Sequence, residues 1–116
     1  MAGDSPTDKR SELPNPALPA ALQRLWEKYL PEISRRISVL DQAVSHLEAS
    51  ALTSQLRMEA HEAAHKLAGT LGTFGHPQGS QDALALEEAF ASSIAMRNIT
   101  ELRSRVIALQ QIVRPQ

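Results

Sequence analysis

Apolar residues recur along this chain at steps of three and four, never in the strict alternation of a half-buried strand, so the pattern predicts helices throughout. Leu18, Leu22, Leu25 and Tyr29 form a first stripe with Trp26 beside it. Pro31 is expected to end that short helix and to serve as the first residue of the next. Ile33, Ile37, Leu40, Val44, Leu47 and Ala51 carry the second stripe, with arginines, Asp41 and Glu48 elsewhere on the wheel, enough for a helix of about five turns. Thr53 or Ser54 is the expected N-cap of a third helix, striped by Leu56, Ala60, Ala63, Leu67, Leu71 and Phe74. HPQGSQD, residues 76–82, reads as a turn in which Ser80 can cap a fourth helix; its stripe is Ala83, Leu86, Phe90 and Ile94. Asn98 or Thr100 opens a fifth, carrying Leu102, Val106, Leu109 and Val113, and Pro115 is expected to stop it.

Long amphipathic helices joined by short turns imply an all-α fold. The expected architecture is an antiparallel up-down four-helix bundle over residues 18–114, with a short additional N-terminal helix packed on one end. Residues 1–17 are polar and contain Pro6, Pro14 and Pro16, the composition of a disordered tail or a linker. Hydrophobic residues make up 42% of the chain but aromatic ones only 3%, so the core must be aliphatic. A net charge of −1 offers no broad attraction to nucleic acid. Cysteine is absent, which excludes disulfides and thiolate sites and fits a reducing compartment. The first twenty residues have no apolar signal region, and no segment approaches the roughly 20 apolar residues of a membrane span. A monomeric cytoplasmic domain is the expectation, with neither nucleic acid nor membrane as partner.

The candidate chemistry lies in residues 58–75, MEAHEAAHKLAGTLGTFG. At about 100° per residue, the stripe of this helix spans roughly 80°, and His65 lies about 165° from its centre. His65 therefore faces solvent, and core packing does not account for it. His61, Glu62, Ala68, Gly69 and Gly72 share its side of the wheel, with Lys66 on the flank. Gly69 and Gly72 interrupt a helical pattern at about 1 kcal/mol each relative to alanine. On an exposed face they leave a shallow depression that a partner's backbone or a bulky group can approach; otherwise they mark close packing on a neighbouring helix.

Two readings follow from the residues alone. His61-Glu62-Ala63-Ala64-His65 satisfies H-E-x-x-H, which on a helix presents two histidines to one zinc ion with Glu62 as general base; Glu87 or Glu88 could supply a third ligand. Against this, the longer metzincin pattern would require glycine at Ala68 and histidine at Leu71. The second is a surface histidine without chemistry, which leaves the glycines unexplained.

AHKLAGTLGTFG, preceded by EAA and followed by LALEEAF, resembles the histidine phosphotransfer (HPt) domain of multistep phosphorelays. It is similar also to the phosphotransfer domain of chemotaxis histidine kinases. The resemblance spans roughly residues 20–113. It implies a helical bundle with His65 as phosphoacceptor through Nε2 and Gly69 as the small residue that admits a partner. Gly72 and the Thr73-Phe74-Gly75 run then match the helix end. Glu87 falls where chemotaxis-type domains carry a glutamate that hydrogen-bonds the ring, fixing its tautomer and strengthening the attacking nitrogen, with Glu88 next in register. Many family members have lysine three residues after the histidine, where this chain has Ala68. Lys66 is the nearby lysine that could take its place.

The resemblance implies a phosphoryl carrier rather than an autonomous enzyme. Its partners would be a response-regulator receiver domain, a histidine kinase, or both. The chain itself would bind no cofactor or metal, and the partner's receiver domain would supply Mg²⁺. A helical interaction module that carries no phosphate is the competing class.

Overall fold

Leucine, isoleucine and alanine stripes bury themselves against one another here, as the heptad-like spacing requires. The computed structural model describes residues 19–91 and 98–114, and the regular elements among them are all α-helices: α1 (Ala20–Glu48), α2 (Ser54–Thr73), α3 (Pro77–Ala89) and α4 (Ile99–Val113). Each helix packs on the next, and α4 packs back on α1, closing a four-helix ring. Residues 49–53 and 74–76 make the first two connections, short enough that neighbouring helices must run antiparallel. The expectations for the 1–17 tail, Leu18, Ile94 and the stop at Pro115 lie outside the described residues.

The core is aliphatic. Ile33, Leu40, Val44, Leu67, Leu71, Leu86, Val106 and Leu109 are wholly buried, and Phe90 is the largest side chain among them. Each contributes on the order of 1.5–3 kcal/mol through removal from water. Ala51, placed on the second stripe by its spacing, is exposed because α1 ends before it.

The expected break at Pro31 is absent. The two predicted N-terminal helices are one, α1, with Pro31 inside it. A proline within a helix costs about 3 kcal/mol, since it leaves one carbonyl without its N–H partner and crowds the preceding turn. Here Pro31 and Glu27, whose carbonyl loses its donor, both face solvent, so water can satisfy the orphaned oxygen. An aromatic cluster ties down the segment before the proline: Trp26 packs edge-on to Phe74 at 5.4 Å between centroids, and Tyr29 does so at 6.0 Å. Trp26 also lies 4.8 Å from the His76 ring. Such contacts contribute about 0.5–1.5 kcal/mol per pair beyond burial and hold the extension in helix register.

The junction between α2 and α3 sets the register of the site. Thr53 is the N-cap of α2, its Oγ1 accepting from the Leu56 N–H at 3.1 Å. At the other end Gly75 takes φ +82°, and its N–H reaches the Gly72 carbonyl (3.2 Å) while that of His76 reaches Leu71 (2.8 Å). This is a Schellman closure, which needs the left-handed residue that glycine supplies. The first helical residue of α3 is Pro77, so Ser80 is not its cap. Ser80 instead donates its hydroxyl to the Ala68 carbonyl at 2.7 Å, tying α3 to the middle of α2. Asn98 is the N-cap residue of α4 but makes no side-chain cap bond. Across the bundle, Arg103 of α4 binds Asp41, Ser45 and Glu48 of α1, and Arg105 pairs with the buried Asp82 of α3 at 2.9 Å.

Candidate functional site

Alanine and glycine at every fourth position of α2 decide how closely α3 approaches. Ala64 and Ala68 are buried, and a side chain at Gly72 would meet Ser80 Oγ at 3.5 Å. That row of small residues brings α3 alongside and places Glu87 across from the exposed face of α2. His65, with 69% of its side chain exposed, stands midway along α2, and its Nδ1 lies 2.9 Å from Glu87 Oε2. An ionised carboxylate only accepts, so Nδ1 carries the proton and donates it to Glu87. Nε2 is then the unprotonated nitrogen, its lone pair directed away from α3. The arrangement presents an unprotonated imidazole nitrogen of fixed tautomer to solvent.

His61, one turn earlier, brings its Nε2 to 3.9 Å from the same Glu87 oxygen, beyond hydrogen-bonding distance. Glu62 and Lys66 pair with each other at 3.3 Å on the exposed surface. Glu88 is exposed and is not the residue facing His65. Among the described residues, no group of three or more His, Asp or Glu side chains is arranged to hold a metal ion.

Two placements read from the helical wheel need correction or division. Ala68, expected on the solvent face with His65, is only 7% exposed. The wheel measured distance from one apolar stripe, whereas α2 is flanked by α1 and α3 and buries a second side against α3. Gly72 is exposed yet lies against Ser80, in ordinary packing contact. Gly69 differs: a Cβ built on it meets nothing within 4 Å, so its face is open beside His65.

One residue was not singled out from the sequence. Arg36 of α1 lines a shallow depression together with His65, Lys66, Gly69, Thr70 and Thr73. Its guanidinium pairs with Glu32 at 3.1 Å, and Glu32 is also bound by Arg35. The Arg35 hydrogen bond holds the Glu32 carboxyl below the usual carboxylate range, with Arg36 and Lys66 adding smaller attraction. Arg36 follows Ile33 by three positions and so flanks the buried stripe of α1, at the seam with α2; that position was its one sequence signal.

Comparison with known proteins identifies the family. The family model of the Hpt domain matches residues 24–112. An aligned stretch of 94 positions, covering 79% of this chain, is 33% identical to protein RcaC of Microchaete diplosiphon. That stretch spans about 14% of RcaC's own length. No solved structure gives a significant match.

Proposed function

The chain belongs to the Hpt domain family, whose members carry phosphoryl groups on histidine in phosphorelays, and we propose that it does so through Nε2 of His65, exchanging the group with an aspartate of a receiver domain. The observation that carries this reading is the exposed His65 ring with Nδ1 hydrogen-bonded to Glu87 at 2.9 Å. The Nε2 lone pair attacks the phosphorus of the partner's aspartyl phosphate, the P–N bond forms, and the P–O bond to the aspartate breaks, releasing its carboxylate. Nδ1 keeps its proton through this step, so the phosphorylated ring is cationic, and the Glu87 carboxylate faces the charge as it develops. Transfer onward is the reverse attack by a second aspartate, with the imidazole as leaving group.

Mg²⁺ belongs in this scheme to the partner's receiver domain; this chain contributes an accessible nucleophile and a docking face around His61, Glu62, Gly69 and Gly72. Hpt domains act with receiver domains and histidine kinases, and such partners are expected for this one. Helix α2 meets a receiver with the open Gly69 face, where no side chain blocks approach. No helix among the described residues is long and apolar enough to cross a membrane.

The test is a panel of receiver domains, each charged with a small-molecule phosphodonor and mixed with the purified chain. One acid-labile, alkali-stable phosphoryl group should appear on the chain, be absent in His65→Gln and persist in His61→Gln. Label that survives in His65→Gln would overturn the assignment.

A further inference from the structure

The flanks of His65 are chemically unlike each other. Counting about 100° per residue, Gly69, Thr73, Lys66 and Thr70 fall roughly 40° to 140° to one side of His65, and His61 and Ala68 roughly 40° to 60° to the other. The second flank faces α3: Glu87 holds Nδ1 there, and Ser80 binds the Ala68 carbonyl. The first flank faces α1 and forms the depression lined by Arg36. Imidazole nitrogens diverge across the ring, so a group on Nε2 leaves on the side away from Glu87. Position 68, where related domains often carry lysine, lies on the Glu87 flank and holds a buried alanine.

We propose that Arg36 of α1 is the cation that binds the phosphoryl group on His65, reaching it across the depression from the flank opposite Glu87. This rests on the phosphotransfer reading above. The other cation at the depression, Lys66, is poorly set for the task. Its side chain is half-exposed, and its ammonium leans back one turn to Glu62 at 3.3 Å, as helical side chains do, away from Gly69. Arg36 is only 20% exposed at the side chain and is held between the helices, so it loses less freedom on engaging an anion and is less screened. Its carboxylate partner is already divided: Glu32 serves Arg35 as well, leaving two guanidiniums for one negative charge. A guanidinium has five N–H donors, and Glu32 takes few of them, so planar, bidentate binding of phosphoryl oxygens is open to it. The empty space over Gly69 leaves room for those oxygens.

The experiment uses the whole chain charged with potassium phosphoramidate and followed by ³¹P NMR, the His65 resonance being identified by its loss in His65→Gln. A bound cation lowers the pH at which the phosphoryl group takes up its proton. Arg36→Gln should raise that midpoint by roughly half a pH unit or more, about a threefold gain in proton affinity, whereas Lys66→Gln should move it much less. Arg36→Lys, which keeps the charge, should stay nearer the wild type than Arg36→Gln. An unmoved midpoint in Arg36→Gln, or an equal or larger rise in Lys66→Gln, would overturn the proposal. Should Arg36→Gln melt below the assay temperature, two carboxylate variants decide. Glu32→Gln, which frees Arg36, should lower the midpoint more than Glu62→Gln, which frees Lys66; the reverse order refutes the assignment. Offering the same charged wild-type protein to receiver domains separates the claims, because failure to pass the group on contradicts the proposed function while leaving the titration result intact.

Discussion

Replacing Glu87 with alanine removes the hydrogen bond that fixes the His65 ring. A hydrogen bond to an ionised group contributes about 1.5–3 kcal/mol when shielded from water. His65 keeps 69% of its side chain exposed, so water competes for Nδ1 and the lower end is the better guide. A loss of about 1.5 kcal/mol in orienting the attacking tautomer corresponds to roughly tenfold in rate. The fold should tolerate the change, since alanine propagates helix well and Glu87 is not among the buried core residues of this segment, Ala83, Leu86 and Phe90. Single-turnover transfer from a charged receiver domain measures the rate, and ¹⁵N NMR of the ring reports the tautomer. In the wild type the proton should sit on Nδ1; in Glu87→Ala a tautomer mixture and slowed transfer should appear together. Glu87→Gln, whose amide oxygen still accepts, should fall between them. An unchanged tautomer with a rate within about twofold of wild type would refute the orienting role, and complete loss of transfer would mean that Glu87 does more than orient.

Gly69→Leu should leave the bundle folded, with helix content by circular dichroism equal to or above wild type, yet transfer should drop sharply because the side chain fills the open face beside His65. Full activity in that variant would remove Gly69 from the docking surface. Thr53→Ala deletes the cap on the Leu56 N–H and should cost about 1 kcal/mol, or roughly 4–8 °C in Tm, in a thermal melt. Burial pushes the His76 imidazole below its ordinary 6.5, so the unfolded chain takes up that proton first as the pH falls. Stability from neutral His76 is therefore full above about pH 6.5 and is lost as the pH drops through its lower folded value. His76→Phe, which keeps a ring against Trp26, should flatten the decline in Tm between about pH 7 and pH 5, and an unchanged slope would show that His76 does not set it.

The apolar spacing alone carried most of the fold. The residues at 33, 37, 40, 44 and 47, and again at 60, 63, 67 and 71, are all buried, because a 3.6-residue period leaves a helix few ways to hide them. Pro31 was misleading for a physical reason: local propensity argues for a break, but Trp26 and Tyr29 pack on Phe74, a contact 45 or more residues away that no local pattern contains. Ala68 was misplaced because a single-stripe wheel cannot know that a helix has neighbours on two sides. His65 was legible as an exposed residue from the wheel, and its pairing with Glu87, 22 residues on, came through family resemblance and not from spacing. Arg36 was illegible for a similar reason to Ala68. Its role depends on which helix lies beside α2, and that is fixed only when the ring of four closes.

The most direct measurement is the location of the phosphoryl group itself. After transfer from a charged receiver domain, ¹H–³¹P correlation spectra of the chain distinguish phosphorus on Nε2 from phosphorus on Nδ1, and mass spectrometry under alkaline conditions assigns the residue. The Glu87 hydrogen bond to Nδ1 requires a single phosphoryl group on Nε2 of His65. Phosphorus on Nδ1, or on His61 or His76, would contradict it.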